Sequence, residues 1–176
     1  MNPVKRWWIW LSRIAHCRGF GIQSPGDYSF VRYVVNEHYP YYAYRELGVG
    51  DDWLSRKLGR LHMRIANWRQ PALVVDGQPS PWWQAGCRKA RLVEQGDRAD
   101  LWHIDMATED APQRLSDAID RADEQSVVVV DHIYRHWELW HQAADNSRVT
   151  TAFDLYYCGI LLFNRRQARH YYKINF

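Results

Sequence analysis

The sequence predicts an α/β fold: a mostly parallel sheet closed by a C-terminal antiparallel hairpin, with helices in front of it. Three observations carry that expectation. The run Ser126-Val127-Val128-Val129-Val130-Asp131-His132 has no polar face, so it reads as a strand buried on both sides. An amphipathic stretch follows at 133–144, and two more strand-like runs at 149–155 and 159–163 come after it. Three short strand-like runs, 72–75, 91–94 and 101–104, stand ahead of it between polar turns. Open α/β sheets place their chemistry at the carboxyl ends of the strands, which is where Asp105, Asp131 and His132 fall.

The first 70 residues read as a helical extension, and 71–176 as the sheet-bearing part of what is most simply one structural unit. Val4, Trp7, Trp8, Leu11, Ile14 and Ala15 follow the spacing of a helix with one apolar face. Packed on the domain, that face is core; with its tryptophans and basic residues it also suits a membrane surface. Gly19-Phe20-Gly21 ends it. Ser24-Pro25-Gly26-Asp27 then reads as a helix start, with Ser24 as the cap and Pro25 in the first turn. That helix carries Phe30, Val31, Val34 and Val35 and stops before Pro40. A short helix or ordered turn is expected at 41–47. Another helix, about 52–68, has Leu54, Leu58, Leu61, Ile65 and Trp68 on one side. After the first strand, Ser80 and Pro81 start a helix expected to run to about Ala90, interrupted by Gly86. A further helix, 111–122, leads into the valine strand.

A chain of 176 residues can bury a real core as a single domain. Its 10 Trp and 11 Tyr are unusual, and packing is the default use for aromatics spread so evenly. The net charge of +3 is too small to imply a nucleic-acid partner. Basic and aromatic residues do neighbour each other at Arg6-Trp7-Trp8, at Arg64 with Trp68-Arg69, and at Arg165-Arg166 before Tyr171-Tyr172, yet none matches an RNA-binding signature. Charge is unevenly spread. Residues 1–20 carry Lys5, Arg6, Arg13 and Arg18 with no acid, whereas 97–124 carry nine acids against Arg98, Arg114 and Arg121. A dipolar molecule of this kind pairs its own ends or forms a homodimer. Cys17, Cys87 and Cys158 are odd in number and form no CxxC pair, which points to a reducing compartment. No apolar run approaches the length of a transmembrane segment. The run 7–11 is too short for a secretory leader. The expected location is cytoplasmic.

Two constellations could carry chemistry. In the turn after the first strand, Asp76-Gly77-Gln78-Pro79-Ser80-Pro81, Gly77 would let backbone approach a cofactor. Glu94, seventeen residues on, stands near the spacing at which an acid grips a ribose hydroxyl. A plain structural turn explains the same residues. At the strand tips, Asp105, Asp131 and His132 could hold Mg²⁺ or a transition metal, or supply a general base. Capping the following helices is the competing role. His132 and His136 add an i, i+4 pair, a spacing that suits metal ligation on a helix.

Several segments resemble a known family in order: Gly19-Phe20-Gly21-Ile22-Gln23-Ser24-Pro25, Tyr41-Tyr42-Ala43-Tyr44-Arg45-Glu46-Leu47, Val129-Val130-Asp131-His132-Ile133-Tyr134, 150–163 and the terminal 171–176. Together they are similar to small bacterial class I S-adenosylmethionine-dependent methyltransferase-like proteins. The resemblance implies a shortened Rossmann-like methyltransferase sheet. It also implies S-adenosylmethionine as cofactor at Asp76, Gly77 and Glu94, with Asp105 and Asp131 as catalytic residues near an unidentified methyl acceptor. The chain departs from the pattern at several points. Prolines stand where relatives have a glycine-rich loop, Ile104-Asp105-Met106-Ala107-Thr108 replaces Ile-Asp-Gly-Asn-His, Asp131-His132 replaces Asp-Asp, and Gln23 replaces a His. One strand–helix unit is missing between Glu94 and Leu101. Two functions stay open: a methyltransferase, or a degenerate member that keeps the scaffold and acts as a binding or assembly partner.

Overall fold

The computed structural model describes residues 2–176, with nothing stated of the Arg18 side chain. One sheet of seven strands organises the molecule: β1 (Leu73–Asp76), β2 (Arg91–Val93), β3 (Leu101–Asp105), β4 (Val127–Asp131), β5 (Thr151–Asp154), β6 (Cys158–Leu162) and β7 (His170–Lys173). Their order across the sheet is β2-β1-β3-β4-β6-β5-β7. β2, β1, β3 and β4 pair in parallel, β6 runs antiparallel to both β4 and β5, and β7 lies parallel to β5. The fold is therefore α/β with a mostly parallel mixed sheet. The hairpin differs from expectation in position: β6 folds inward between β4 and β5, and β7 forms the edge. Alternating exposure along β7 suits an edge strand, whereas β4 to β6 are almost wholly buried.

Two apolar clusters cover the two faces of the sheet. On one face Val74, Leu101, Val127, Val129, Phe153 and Ile160 pack against Leu58, Leu61 and Ile65 of α4 (Trp53–Arg69) and Phe30 of α2 (Pro25–Phe30). On the other, Val75, Trp102, Ile104, Val128, Val130 and Leu161 pack against α6 (Ala111–Arg121) and α7 (Trp137–Ala144). The valine run alternates between these clusters, which is why it needs no polar face. Gly159 of β6 is a glycine because the Trp140 indole of α7 lies where a Cβ would stand.

Local signals explain the helix ends. Asp52 caps α4 by accepting from the Leu54 amide at 2.6 Å, and Ser24 caps α2. α3 is one turn, Ala43–Glu46. α5 is shorter than expected, Pro81–Gly86, because Gly86 packs directly on the backbone of α4 and the chain turns extended at Cys87. The helix expected over 133–144 is also broken: a 3₁₀ turn at Ile133–Arg135 precedes α7, and His136 lies outside helical geometry. His132 and His136 therefore do not share a helical turn. The first helix, α1 (Pro3–Ser12), buries none of its residues. Among the described residues no helix is long and apolar enough to cross a membrane.

Candidate functional site

Four polar side chains interrupt the apolar cluster between α4 and the sheet. Asp76 ends β1, and its register partner on β3 is His103. Asp131 ends β4 opposite Asp105 of β3. Strand alternation puts Asp76, His103, Asp105 and Asp131 on the face that α4 covers. His62 descends from α4 beside the fully buried Leu61.

Asp76, His103, Asp131 and His62 form a continuous buried chain, from which Asp105 stands apart. His103 Nδ1–H donates to Asp76 Oδ1 at 2.9 Å, and His103 Nε2–H donates to Asp131 Oδ2 at 3.2 Å. His62 Nε2 lies 3.2 and 3.1 Å from the two oxygens of Asp131. Asp76 also accepts from the Gln78 amide at 3.0 Å and from the Trp83 indole N–H at 2.8 Å. The Trp83 ring stacks on His62 with centroids 4.3 Å apart. Both oxygens of Asp76 are thus committed, and the residue is 1% exposed.

Burial by itself disfavours every charge in this chain; the partners decide the outcome. It works against the His103 imidazolium, but hydrogen bonds to Asp131 and Asp76 prevail and push the ring up to about 10. It would raise the Asp131 carboxyl, yet the charge of His62 and the hydrogen bond from His103 hold it far below the usual carboxylate range. Asp76 is likewise held low, against burial, by His103 first and then by Gln78 and Trp83. The chain can order α4 against the sheet or surround a cation. Closed from solvent, it offers no base to an outside substrate.

The other predicted residues sit apart from it. Asp105 turns outward to His132, whose Nδ1 lies 2.6 Å from Oδ1. Burial lowers the His132 ring and raises the Asp105 carboxyl, but their mutual bond reverses both shifts. His132 reaches this position through a left-handed backbone, φ 58°, with its amide donating to the Tyr157 carbonyl at 2.7 Å. Asp105 also accepts from the Ala107 amide and so caps its own turn. Asp105, Asp131 and His132, the trio expected at the strand tips, are divided between two networks. Gly77 is covered by the Arg114 guanidinium of α6, which occupies the space a Cβ would need. Glu94 is exposed beyond the end of β2 and lines a cleft of about 260 Å³ with Val75, Trp102, Arg114 and Arg121. That cleft opens on the α6 face, so Glu94 and Asp76 do not converge. Its volume is below the roughly 300–1,000 Å³ usual for drug-sized ligands.

Sequence reasoning missed His62, His103 and Trp83. A signal existed for the first two. His62 follows Leu61 on the apolar stripe of α4, and His103 breaks an otherwise apolar strand, so each was a polar group bound for the interior that needed a partner. The basic residues weighed for nucleic acid are partly spent inside: Arg64 is buried and donates to the carbonyls of Val34 and Val35.

No protein-family model, curated protein or solved structure matches the chain.

Proposed function

We propose that this protein is a trimmed Rossmann-like scaffold of the methyltransferase type that has closed its own methyl-donor site and works by assembly, with a second copy of itself as the partner. One observation carries the reading: the positions that would grip S-adenosylmethionine are engaged within the protein. Asp76 is saturated by His103, Trp83 and Gln78, Gly77 lies under Arg114, and Glu94 faces the other side of the sheet. The mostly parallel sheet, the reversed β6 and the bare loop between β2 and β3 agree with a relative that lost one strand–helix unit.

The assembly half rests on the surface. α1 presents Val4, Trp7, Trp8 and Trp10 to solvent, with Trp8 62% exposed, an apolar patch of a kind that monomers rarely leave uncovered. Residues 1–20 carry no acid, whereas α6 and its flanks expose Asp97, Glu109, Asp110, Asp120 and Glu124. Two copies related by a twofold axis can set each basic, aromatic helix against the other's acidic flank. Sedimentation velocity tests this. A concentration-dependent dimer is expected, weakened by high salt and lost in a Trp7→Ser/Trp8→Ser variant. A monomer at every concentration and salt contradicts self-assembly.

A further inference from the structure

We propose that His62, His103 and Asp131 form a divalent transition-metal site, a structural staple joining α4 to β3 and β4. They are the one group of three ligand-type side chains among the described residues whose donor atoms all lie within 4.8 Å of one another, and all three are buried. Two imidazole nitrogens and a carboxylate oxygen are a donor set that suits Zn²⁺.

Two of the three donor pairs stand at the spacing of a coordination shell, and the donors of the two imidazoles lie within 4.8 Å of each other. With metal–ligand bonds of about 2.0–2.1 Å, donors at the corners of a tetrahedron stand about 3.3 Å apart. His62 Nε2 lies 3.1 Å from Asp131 Oδ2, and His103 Nε2 lies 3.2 Å from the same oxygen. These contacts are long for charge-assisted hydrogen bonds, which favour about 2.7–2.9 Å. His62 also stands nearly equidistant from both Asp131 oxygens, as a donor with no single acceptor does.

A second, independent feature is the support behind the ligands. A metal-bound histidine usually donates its other ring nitrogen to a carboxylate, which fixes the ring and raises its basicity. His103 does this through Nδ1–H to Asp76, and Asp76 is in turn fixed by Trp83 and Gln78. The Trp83 ring holds His62 by stacking. Each ligand comes from a different element, so a bound ion would tie α4 to the centre of the sheet. Three protein donors leave a position for solvent, but burial keeps substrates away. The role is structural, and it does not depend on whether the protein binds a methyl donor.

The test uses the full chain, purified without a nickel column, stripped with a chelator and then titrated with Zn²⁺ and, separately, Co²⁺. About one ion per chain is expected, with a raised melting temperature on Zn²⁺ addition and tetrahedral d–d bands from Co²⁺. His62→Gln and His103→Gln should abolish the bands. Asp76→Asn should keep one ion per chain but weaken affinity about 10–100-fold. His132→Gln, whose ring faces Asp105, should leave Zn²⁺ affinity unchanged. Absence of stoichiometric binding and of d–d bands in the wild-type chain overturns the proposal, whether or not any variant folds. So does Zn²⁺ binding that survives in His62→Gln and His103→Gln or is lost in His132→Gln.

Discussion

α4 and α1 look alike as sequence: each is amphipathic, rich in large apolar side chains and dotted with basic residues. α4 buries nine of its residues, including His62 and Arg64, whereas α1 buries none. The difference lies in what each helix finds beneath it. α4 lies over strands whose tips offer Asp76, His103 and Asp131, so its polar groups have partners as well as its leucines. α1 lies beside a cleft of about 550 Å³ walled by Arg6, Trp53, Lys57, Tyr156 and Phe176. The N-terminal segment is fixed by Arg13, just past the helix, together with the Asn175 side chain donating to the Trp10 carbonyl and Arg6 lying over the Trp53 ring. The Arg13 guanidinium pairs with both Asp154 oxygens at 2.7 Å and donates to the carbonyls of Asp154 and Ile174. Amphipathicity alone does not decide burial; matched polar anchors do.

The comparison breaks most sharply at Trp83, which is fully buried and holds both His62 and Asp76. Trp83→Ala should cost about 4 kcal/mol in a urea unfolding curve, the scale for deleting a buried aromatic. Trp8→Ala on α1, measured at protein concentrations low enough to keep the chain monomeric, should stay within about 0.5 kcal/mol. Equal losses would mean that α1 is as much core as α4.

Arg13→Ala comes next. It strands a fully buried Asp154, and breaking such a pair costs about 3 kcal/mol. Limited proteolysis should also cut at Lys5 and Arg6 faster in this variant, because α1 loses one of its anchors. Unchanged cleavage would show that α1 is held without Arg13.

Lys57 lies on α4 at the boundary of the α1 cleft and gives a smaller effect of opposite sign. Burial, and then the charges of Arg64 and Arg6, push its ammonium down from 10.5 to about 8. Between these values the unfolded chain holds a proton that the folded chain has released, so stability rises with pH across that window. Below about 8 the charge is carried at a cost. Lys57→Met should raise stability at pH 7 by about 1 kcal/mol, the scale of single stabilising substitutions, and should flatten the rise between pH 8 and 10.5. Urea midpoints measured across this range check both; a loss of stability at pH 7 would show that the contacts of the ammonium with the Phe176 and Trp53 rings outweigh the cost of its burial.

Much of the fold was legible in the residues. The valine run, Asp105 at the end of its strand, Ser24 with Pro25, and Ser80 with Pro81 all carry local signals that tertiary contacts did not override. The inward placement of β6 and the edge strand β7 were not legible, since pairing order depends on contacts distant in sequence. The site was read in half. Asp76 and Asp131 stand out at strand ends, but their partners come from α4, β3 and α5, and no spacing rule relates His62 to Asp131, 69 residues away. Arg114 closing over Gly77 is equally non-local. The acids looked available only because sequence shows the rim without what leans on it.

Calorimetric titration of the purified chain with S-adenosylmethionine, at millimolar ligand and in parallel with Arg114→Ala, tests the closed rim most directly. The expected result is no saturable heat for the wild-type chain, because Asp76 and Gly77 are already engaged. Saturable micromolar binding by the wild-type chain, lost in Gly77→Arg and Glu94→Ala, would contradict it and return these residues to a working donor site.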